Sequence, residues 1–357
     1  MKKRALIWIM AGVLAALPLT GCTSFEGSEV VVKMGDKEIT ADLANFYARY
    51  TQAQYETFYG AYFGDNMWGS EAAEGESYEE SVKNTLLEDL QTMILLEEHM
   101  GDYEIALTDG EKAVITKAAK EFDEDNSLEN KEKISGDVKT VERMLTLLAI
   151  QQKVRTAIEA GADTEVTDEE AAQKSMQYVL FPYKTTDEDG KSKELTADEK
   201  AAVKEKAEVL AQSLKDGGDI STLAAAETLD VQTATFDKES AVPDADLVKA
   251  ADQLQLNEST DVIETDAGCY VGRVTSLLDP QATENKKQVI VNDRKTKLFT
   301  DTCEKWKEGM DIKVNKKVWK KIDFNDLSVT MKQKIEQPYT DEVKTDDQED
   351  AGNSTEE

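Results

Sequence analysis

The chain has 357 residues, and 73 aspartates and glutamates outnumber 42 lysines and arginines, which gives a formal net charge of −31. A surface this acidic repels nucleic acid backbones, so DNA and RNA are not expected as partners. The length allows two or more domains, each with its own core.

The amino-terminal residues have the pattern of an export signal. The basic triplet KKR precedes an apolar run, residues 5–19, that is shorter than the roughly 20 residues of a membrane-spanning helix. The run ends in LTGC, which resembles a bacterial lipobox. The resemblance implies cleavage before Cys22 and a lipid on its thiol, so that residues 1–21 are a signal peptide and residues 22–29 a tether to the membrane. The alternatives are a signal peptide with a chance cysteine and a short uncleaved anchor.

The other residues able to carry redox or metal chemistry are few. Cys269 and Cys303 either pair as a disulfide or serve as small buried apolar side chains, and we favour free, buried thiols. The single histidine, His99, is expected at a helix end. The sequence has no metal-ligand spacing and no glycine-rich phosphate loop, so neither a metal nor another cofactor is expected.

Apolar side chains at helical spacing dominate the first half of the chain. A short strand at residues 30–33 and a glycine turn precede a helix with Thr40 as its N-cap. Further helices are predicted at about residues 78–99, 108–122 and 137–160. Nine aromatic residues fall between Phe46 and Trp68. We assign residues 30–162 to one helical domain.

The pattern then changes to alternating strands and helices. A short acidic helix, with Thr167 and Glu170 as a capping box, is predicted within a connector at residues 163–175. The following region, residues 176–280, is predicted to contain strands at 176–181, 260–263 and 269–277, and helices at 197–214, 219–229 and 247–254. A long helix at 285–307 and a short β-like ending follow. We assign residues 281–325 to completion of the helical domain and residues 326–357 to a disordered acidic tail.

This order of elements predicts an α+β fold class. The module at residues 176–280 begins and ends with a strand, and the two strands are expected to be neighbours in one sheet. The module is then an insertion between two helical pieces of a single domain.

Five segments in this order resemble the PrsA- and SurA-type extracytoplasmic foldases. In that family a helical chaperone domain, built from both chain ends, is interrupted by a parvulin-type peptidyl-prolyl isomerase module. The lipobox favours the PrsA type, which is lipid-anchored in Gram-positive bacteria. The segments are VVVKMGDKEITADLANFYARY, EVTDEEAAQKSMQYVLF, GDISTLAAAETLD, LVKAADQLQLNESTDVIETDAG and CYVGRVTSLLD.

The resemblance also indicates the positions of a parvulin site. The family's two histidines correspond to Tyr178 and Tyr270, and its central acidic or cysteine position corresponds to Asp230. Leu180, Phe236 and Leu247 are the candidates for binding a proline-containing peptide. Tyrosine donates a hydrogen bond but lacks the ring nitrogens of histidine, so the residues leave isomerase activity uncertain.

The aromatic residues after Thr40 suggest a second site. Tyr59, Tyr62 and Phe63 are candidates for holding unfolded segments, although core packing is the alternative. The function implied is a lipid-anchored foldase or chaperone whose partners are unfolded or nascent secreted proteins. The alternative is a non-enzymatic envelope lipoprotein with a structural or adaptor role. The sequence does not define the oligomeric state.

Overall fold

The computed structural model describes residues 13–18, 26–64, 66–186 and 190–332. The predicted α+β class is confirmed, because helices and antiparallel strands share this part of the chain. In chain order the helices α1–α10 are Ala41–Phe63, Tyr78–His99, Asp109–Asp125, Leu128–Ile134, Val138–Glu159, Ala197–Lys215, Ile220–Ala226, Ala245–Asp252, Pro280–Lys307 and Lys316–Trp319.

The strands are short, and all of their pairings within the described ranges are antiparallel. In chain order the strands β1–β13 are Val13–Pro18, Val30–Met34, Lys37–Thr40, Glu71–Ala73, Glu76–Ser77, Lys174–Pro182, Lys184–Thr186, Ser192–Glu194, Gln232–Phe236, Ile263–Glu264, Gly268–Ser276, Ile312–Val314 and Leu327–Lys332.

The chain divides into two compact units. The first combines residues 1–157 with residues 301–357, and the second comprises residues 158–300. The first unit therefore uses both ends of the chain, as the sequence predicts. No helix among the described residues has the length and apolar character needed to cross a membrane.

Local sequence signals set the helix boundaries. α1 begins after Thr40 and ends at Gly64, whose φ of 69° is a conformation that glycine adopts without strain. Three other helices begin with a Ser/Thr-x-x-Glu capping box, in which side chains satisfy the free backbone N–H groups of the first turn. These boxes are Ser77/Glu80 in α2, Thr108/Glu111 in α3 and Thr196/Glu199 in α6.

The core of the first unit lies among its long helices. Phe46 of α1 meets Phe122 of α3 edge-on, with ring centroids 5.4 Å apart, and both side chains are buried. At the edge of this core, Arg143 of α5 binds Glu97 of α2 through two hydrogen bonds of 2.5 and 2.8 Å. Apolar stripes at helical spacing thus explain why these helices pack together.

The two ends of the chain meet in a three-stranded sheet of order β12-β2-β3. In the register of β12 and β2, Ile312 lies opposite Met34 and Val314 opposite Val32. A separate two-stranded sheet pairs β1 with β13. These pairings make the first unit dependent on residues that are far apart in sequence.

Buried polar side chains of α2 bind the C-terminal segment, which we define as residues 322–332. Glu79 accepts hydrogen bonds from the backbone N–H of Phe324 at 3.0 Å and from the amide of Asn325 at 2.7 Å. Lys83 pairs with Glu79 at 3.3 Å and donates to the carbonyl of Ile322. Burial lowers the pKa of Lys83, and the Glu79 carboxylate opposes that shift.

Side chains of α1 bind the same segment from another side. Arg49 donates to the carbonyl of Asp323 at 2.9 Å, and Gln52 donates to the carbonyls of Phe324 and Leu327 at 3.0 and 2.6 Å. Burial lowers the pKa of Arg49 to about 10, against the nearby carboxylates. A buried polar group is costly unless it is hydrogen-bonded, so these residues favour one path for the segment.

The second unit is built on a four-stranded sheet of order β10-β11-β6-β9. β11 and β6, the last and first long strands of the predicted module, pair directly, and Gly272 lies opposite Tyr178. One face packs on α6 and α7 through buried side chains that include Val179, Phe181 and Val271. The opposite face carries both predicted site tyrosines.

Two sequence predictions are wrong. Residues 327–332 were expected in the disordered tail but form β13, because α1 side chains bind its backbone and Val329 is fully buried. The connector was expected to contain a helix, but residues 163–173 have irregular backbone with one turn at residues 168–170. There Arg294 binds the carbonyl of Glu165 at 2.9 Å and the carboxylate of Glu170 at 2.6 Å, which favours an irregular path.

Several other predictions have clear outcomes. β9 and α4 are elements that the sequence patterns did not predict, and the β-like ending consists of β12 and the short helix α10. Cys269 and Cys303 are both free and buried, as favoured from the sequence. Cys22 lies outside the described residues, as do residues 333–357 of the predicted tail.

Candidate functional site

Tyr178 and Tyr270 lie side by side on one face of the second unit's sheet. In the β6–β11 register Tyr270 is opposite Leu180 and Tyr178 is opposite Gly272, so the two tyrosines are diagonal neighbours. Their ring centroids are 6.0 Å apart at an interplanar angle of 48°, and each side chain is 8% exposed. The strands therefore bring together the two tyrosines that the sequence resemblance singled out.

The predicted peptide-binding residues surround this pair. Phe236 of β9 and Leu247 of α8 are fully buried, and Leu180 is half-buried at the margin. Gly272 gives α8 room, because a Cβ there would lie only 3.1 Å from Leu247 Cδ1. We call the side chains packed around Tyr178 and Tyr270 the tyrosine cluster. Its buried members are Met176, Tyr178, Phe236, Leu247, Val248, Ala251, Tyr270 and Val274.

The polar partner of Tyr178 is a residue that the sequence did not identify. The Tyr178 hydroxyl donates to Gln232 Oε1 at 2.5 Å, across the pairing of β6 with β9. Asp230, the predicted acidic position, lies two residues earlier in the loop after α7, and its side chain is exposed. The structure thus brings Gln232, rather than Asp230, into hydrogen-bond contact with the tyrosine cluster.

Both tyrosines are neutral hydrogen-bond donors at physiological pH. Burial raises the pKa of the Tyr178 hydroxyl. Burial also raises the pKa of Tyr270, and the negative charge of Asp244 adds to that effect. A neutral hydroxyl can donate one hydrogen bond to an amide, but it does not change protonation state near pH 7 as imidazole does.

The tyrosine cluster is filled by the protein's own side chains. With Phe236 and Leu247 fully buried, no deep slot for a proline ring lies at these two residues. A cavity of about 630 Å³ in the same unit is lined by Arg273 and by Leu254 and Ile263, which pack against the outside of the tyrosine cluster. The arrangement therefore favours a surface that contacts a peptide through its margin over one that encloses a proline.

A second candidate site lies between α1 and α2 in the first unit. A cavity of about 500 Å³ is lined by aromatic and polar side chains that include Tyr47, Tyr55, Tyr78 and Asp89. The Tyr47 hydroxyl donates to the Asp89 carboxylate at 3.1 Å. Burial raises the pKa of both groups.

Aromatic rings continue from this cavity to the surface. Tyr55 lies 5.8 Å from Tyr59 and 5.9 Å from Tyr78, and Phe63 stacks on Tyr78 at 5.6 Å between ring centroids. At the end of α1 four aromatic side chains are exposed, which we call the aromatic row. Their exposed fractions are 61% for Phe58, 51% for Tyr59, 91% for Tyr62 and 52% for Phe63. The sequence-predicted residues Tyr59, Tyr62 and Phe63 thus share one exposed surface.

No protein-family model matches the sequence, and no curated protein matches it. Solved structures do match, and they include PrsA-type and SurA-like proteins. The foldase PrsA from Streptococcus pneumoniae is 21% identical, with 72% of this chain and 99% of that chain covered at a TM-score of 0.30. The peptidylprolyl isomerase PrsA from Bacillus cereus is 14% identical, with 83% of this chain and 98% of that chain covered at a TM-score of 0.30. A SurA-like chaperone from Campylobacter jejuni is 13% identical, with 80% of this chain and 98% of that chain covered at a TM-score of 0.28.

These proteins are of the kind that the sequence segments resemble. Identities below 25% and TM-scores of 0.30 or less do not transfer the activities of those proteins to this chain. Its function has to be argued from its own residues.

Proposed function

We propose that this chain is an extracytoplasmic foldase-type chaperone, held to the membrane by a lipid on Cys22, that binds unfolded segments of secreted proteins. The aromatic row at the end of α1 is the observation that carries the proposal. A folded protein normally covers large apolar side chains, and neighbouring exposed rings are typical of an interaction surface.

The aromatic row has the chemistry that an unfolded client requires. Covering one large apolar side chain contributes about 1.5–3 kcal/mol, so two or three rings give useful but reversible affinity. Tyrosine contributes an apolar face and a polar edge, and therefore tolerates many client sequences. Because rings connect the row to the cavity between α1 and α2, a longer segment has a continuous path for binding.

The net charge of −31 supports the same role. A strongly acidic chaperone repels other copies of itself and keeps a bound client in solution. It also repels acidic clients, so neutral and basic segments are the preferred substrates.

The second unit, in this proposal, contributes binding more than catalysis. Rotation about an X–Pro bond has a barrier of about 18–20 kcal/mol, and an isomerase lowers it by binding the twisted amide better than the planar amide. Tyr178 already donates its hydroxyl to Gln232, and both tyrosines are nearly buried. These features favour an isomerase activity that is absent or weak, which is also compatible with the alternative role of a non-enzymatic envelope adaptor.

Suppression of aggregation tests the chaperone proposal and separates it from the adaptor role. An unfolded secreted protein is diluted into buffer with the chain, and light scattering is recorded. We expect suppression by the native chain, and loss of at least half of it when Tyr59→Ser and Tyr62→Ser are combined, because two exposed rings are removed. The matched control is Val209→Ser, a side chain that is 64% exposed on α6.

Two results would contradict the proposal. One is the absence of suppression by the native chain, which would favour the adaptor role. The other is equal suppression by the double variant and the control, with both proteins folded by circular dichroism. The second result would place client binding outside the aromatic row.

A further inference from the structure

The strand β13 is held on one side by side chains of α1. The backbone N–H of Val329 donates to Glu56 at 2.8 Å, and the N–H of Met331 donates to Thr57 Oγ1 at 2.8 Å. The carbonyl of Leu327 accepts a hydrogen bond from Gln52 at 2.6 Å. Successive residues of a strand direct their backbone groups to opposite sides, so the odd-numbered residues of β13 face α1.

The other side of β13 is covered by β1. The two strands pair over their full length, from Val13 opposite Lys332 to Pro18 opposite Leu327. Because the odd-numbered residues of β13 bind α1, the hydrogen bonds to β1 fall at Ser328, Thr330 and Lys332. Their opposite residues, given by the same register, are Leu17, Ala15 and Val13.

The occupant of this edge belongs to the segment that the proposed processing removes. Cleavage before Cys22 releases residues 13–18, whereas the hydrogen bonds between β13 and α1 do not involve those residues. The backbone groups of Ser328, Thr330 and Lys332 then lose their partners. An unpaired strand edge of this kind is a template for pairing with another extended chain.

We propose that the free edge of β13 in the processed protein is a strand-addition site for extended apolar peptide segments, and that the uncleaved precursor blocks the site with its own residues 13–18. The sequence VLAALP identifies the ligand class, since it is apolar and uncharged, and backbone hydrogen bonds supply affinity with little dependence on sequence. The aromatic row begins at Phe58, one residue after Thr57, so the two surfaces start on the same stretch of α1. This inference rests on the proposed processing at Cys22.

The test uses the chain from residue 22 to 357 with Cys22→Ser, checked for folding by circular dichroism, and a fluorescein-labelled peptide with the sequence of residues 10–19. One peptide variant carries N-methyl groups on Ala15 and Leu17, whose N–H groups face β13. The matched control carries them on Leu14 and Ala16, whose N–H groups face away. Fluorescence polarisation measures the dissociation constants.

We expect the unmodified and control peptides to bind within about threefold of each other, and the Ala15/Leu17 variant to bind at least about tenfold more weakly, because two hydrogen bonds are lost. The full-length precursor should also bind the unmodified peptide at least about tenfold more weakly, because its own strand competes.

Equal binding of the two methylated peptides would overturn the inference, as would the absence of peptide binding by the folded chain. The outcome is separable from the chaperone proposal. If aggregation suppression persists and depends on Tyr59 and Tyr62 while the peptide fails to bind, only the strand-addition site is rejected. If mass spectrometry of the cellular protein shows no cleavage before Cys22, residues 13–18 stay paired with β13 and no free edge forms in the cell, so the inference is rejected even if the shortened chain binds the peptide.

Discussion

At the scale of single residues, the chemistry available at the tyrosine cluster is set by the polar ends of Tyr178 and Tyr270. The Tyr178 hydroxyl is already bound to Gln232, and the pKa of both tyrosines is raised by burial. Each hydroxyl is therefore neutral and can donate at most one hydrogen bond to the twisted amide of the transition state. This limit belongs to the residue type and does not depend on the surrounding sheet.

Because tyrosines occupy these two positions, we expect any isomerase activity of the chain to be slow. In a protease-coupled assay with a proline peptide, we expect the native chain to be about 10- to 100-fold slower than a histidine-containing parvulin measured in parallel, since each lost hydrogen bond to the twisted amide removes about 0.5–1.5 kcal/mol. The double variant Tyr178→His/Tyr270→His should be faster than the native chain. A native rate equal to that of the reference parvulin would contradict this prediction.

The ion pair of Glu97 with Arg143 predicts an acid-dependent contribution to stability. Hydrogen bonding to Arg143 holds the pKa of Glu97 below its ordinary value of 4.5, against the effect of burial. A carboxyl whose pKa is lower in the folded state stabilises the protein fully above pH 4.5, and this contribution is lost as pH falls through the folded-state pKa.

Glu97→Gln should therefore lower the free energy of unfolding by about 1.5–3 kcal/mol at pH 7, the range for hydrogen bonds to charged groups. The difference from the native chain should shrink as the pH is lowered below 4.5, which urea unfolding at several pH values measures. The control Glu121→Gln alters an exposed pair with Lys117 and should change stability little. A difference that stays constant down to pH 3 would contradict the assigned role of Glu97.

At the scale of elements, the C-terminal segment is the feature most sensitive to mutation. Glu79→Ala removes the acceptor for Phe324 and Asn325 and leaves the buried Lys83 without its carboxylate. We expect a loss of about 3–5 kcal/mol, as for one partner of a buried ion pair, measured by urea unfolding. Glu38→Ala breaks only the exposed pair with Lys33 and should change stability little. Similar losses in the two variants would show that α2 does not fix this segment.

The C-terminal segment also illustrates which elements can be predicted from local sequence and which cannot. The long helices and β6 follow from apolar spacing and from caps such as Thr108, which are local signals. β9 escaped prediction because four of its five residues are at least partly exposed, so its composition lacks a clear apolar alternation. β13 escaped because its partners, Glu56 and Thr57, are more than 270 residues away in sequence.

The candidate site was predictable to a similar extent. The alternation of apolar and polar residues predicted β6 and β11, which carry Tyr178 and Tyr270. The two strands were expected to be neighbours, and their pairing brings the two rings together. Gln232 could not be identified because it belongs to the unpredicted strand β9. The exposure of Tyr59 and Tyr62 was also undetermined, since helical spacing does not show which face of α1 lacks a partner.

At the scale of the whole molecule, the proposed lipid on Cys22 would decide where the protein works. Cys22→Ala removes the thiol that the proposed lipid requires. We expect loss of labelled palmitate from the chain and release of the protein from the membrane fraction, both followed by gel and blot. The control Cys303→Ala removes a buried thiol and should leave both properties unchanged. Continued labelling of the Cys22→Ala chain would contradict lipidation at Cys22.

The pairing of β12 with β2, and the binding of residues 322–331 by α1 and α2, have a consequence for biogenesis. A polypeptide that crosses a membrane amino end first delivers Arg49, Gln52 and Glu79 long before their backbone acceptors and donors arrive. Until translocation ends, these polar groups have to remain hydrated, so the first helices cannot close their core. The middle unit, whose strands are all contained within residues 174–276, is free to finish first. If the chain is exported as proposed, we expect the second unit to complete its fold before the first, although it emerges later.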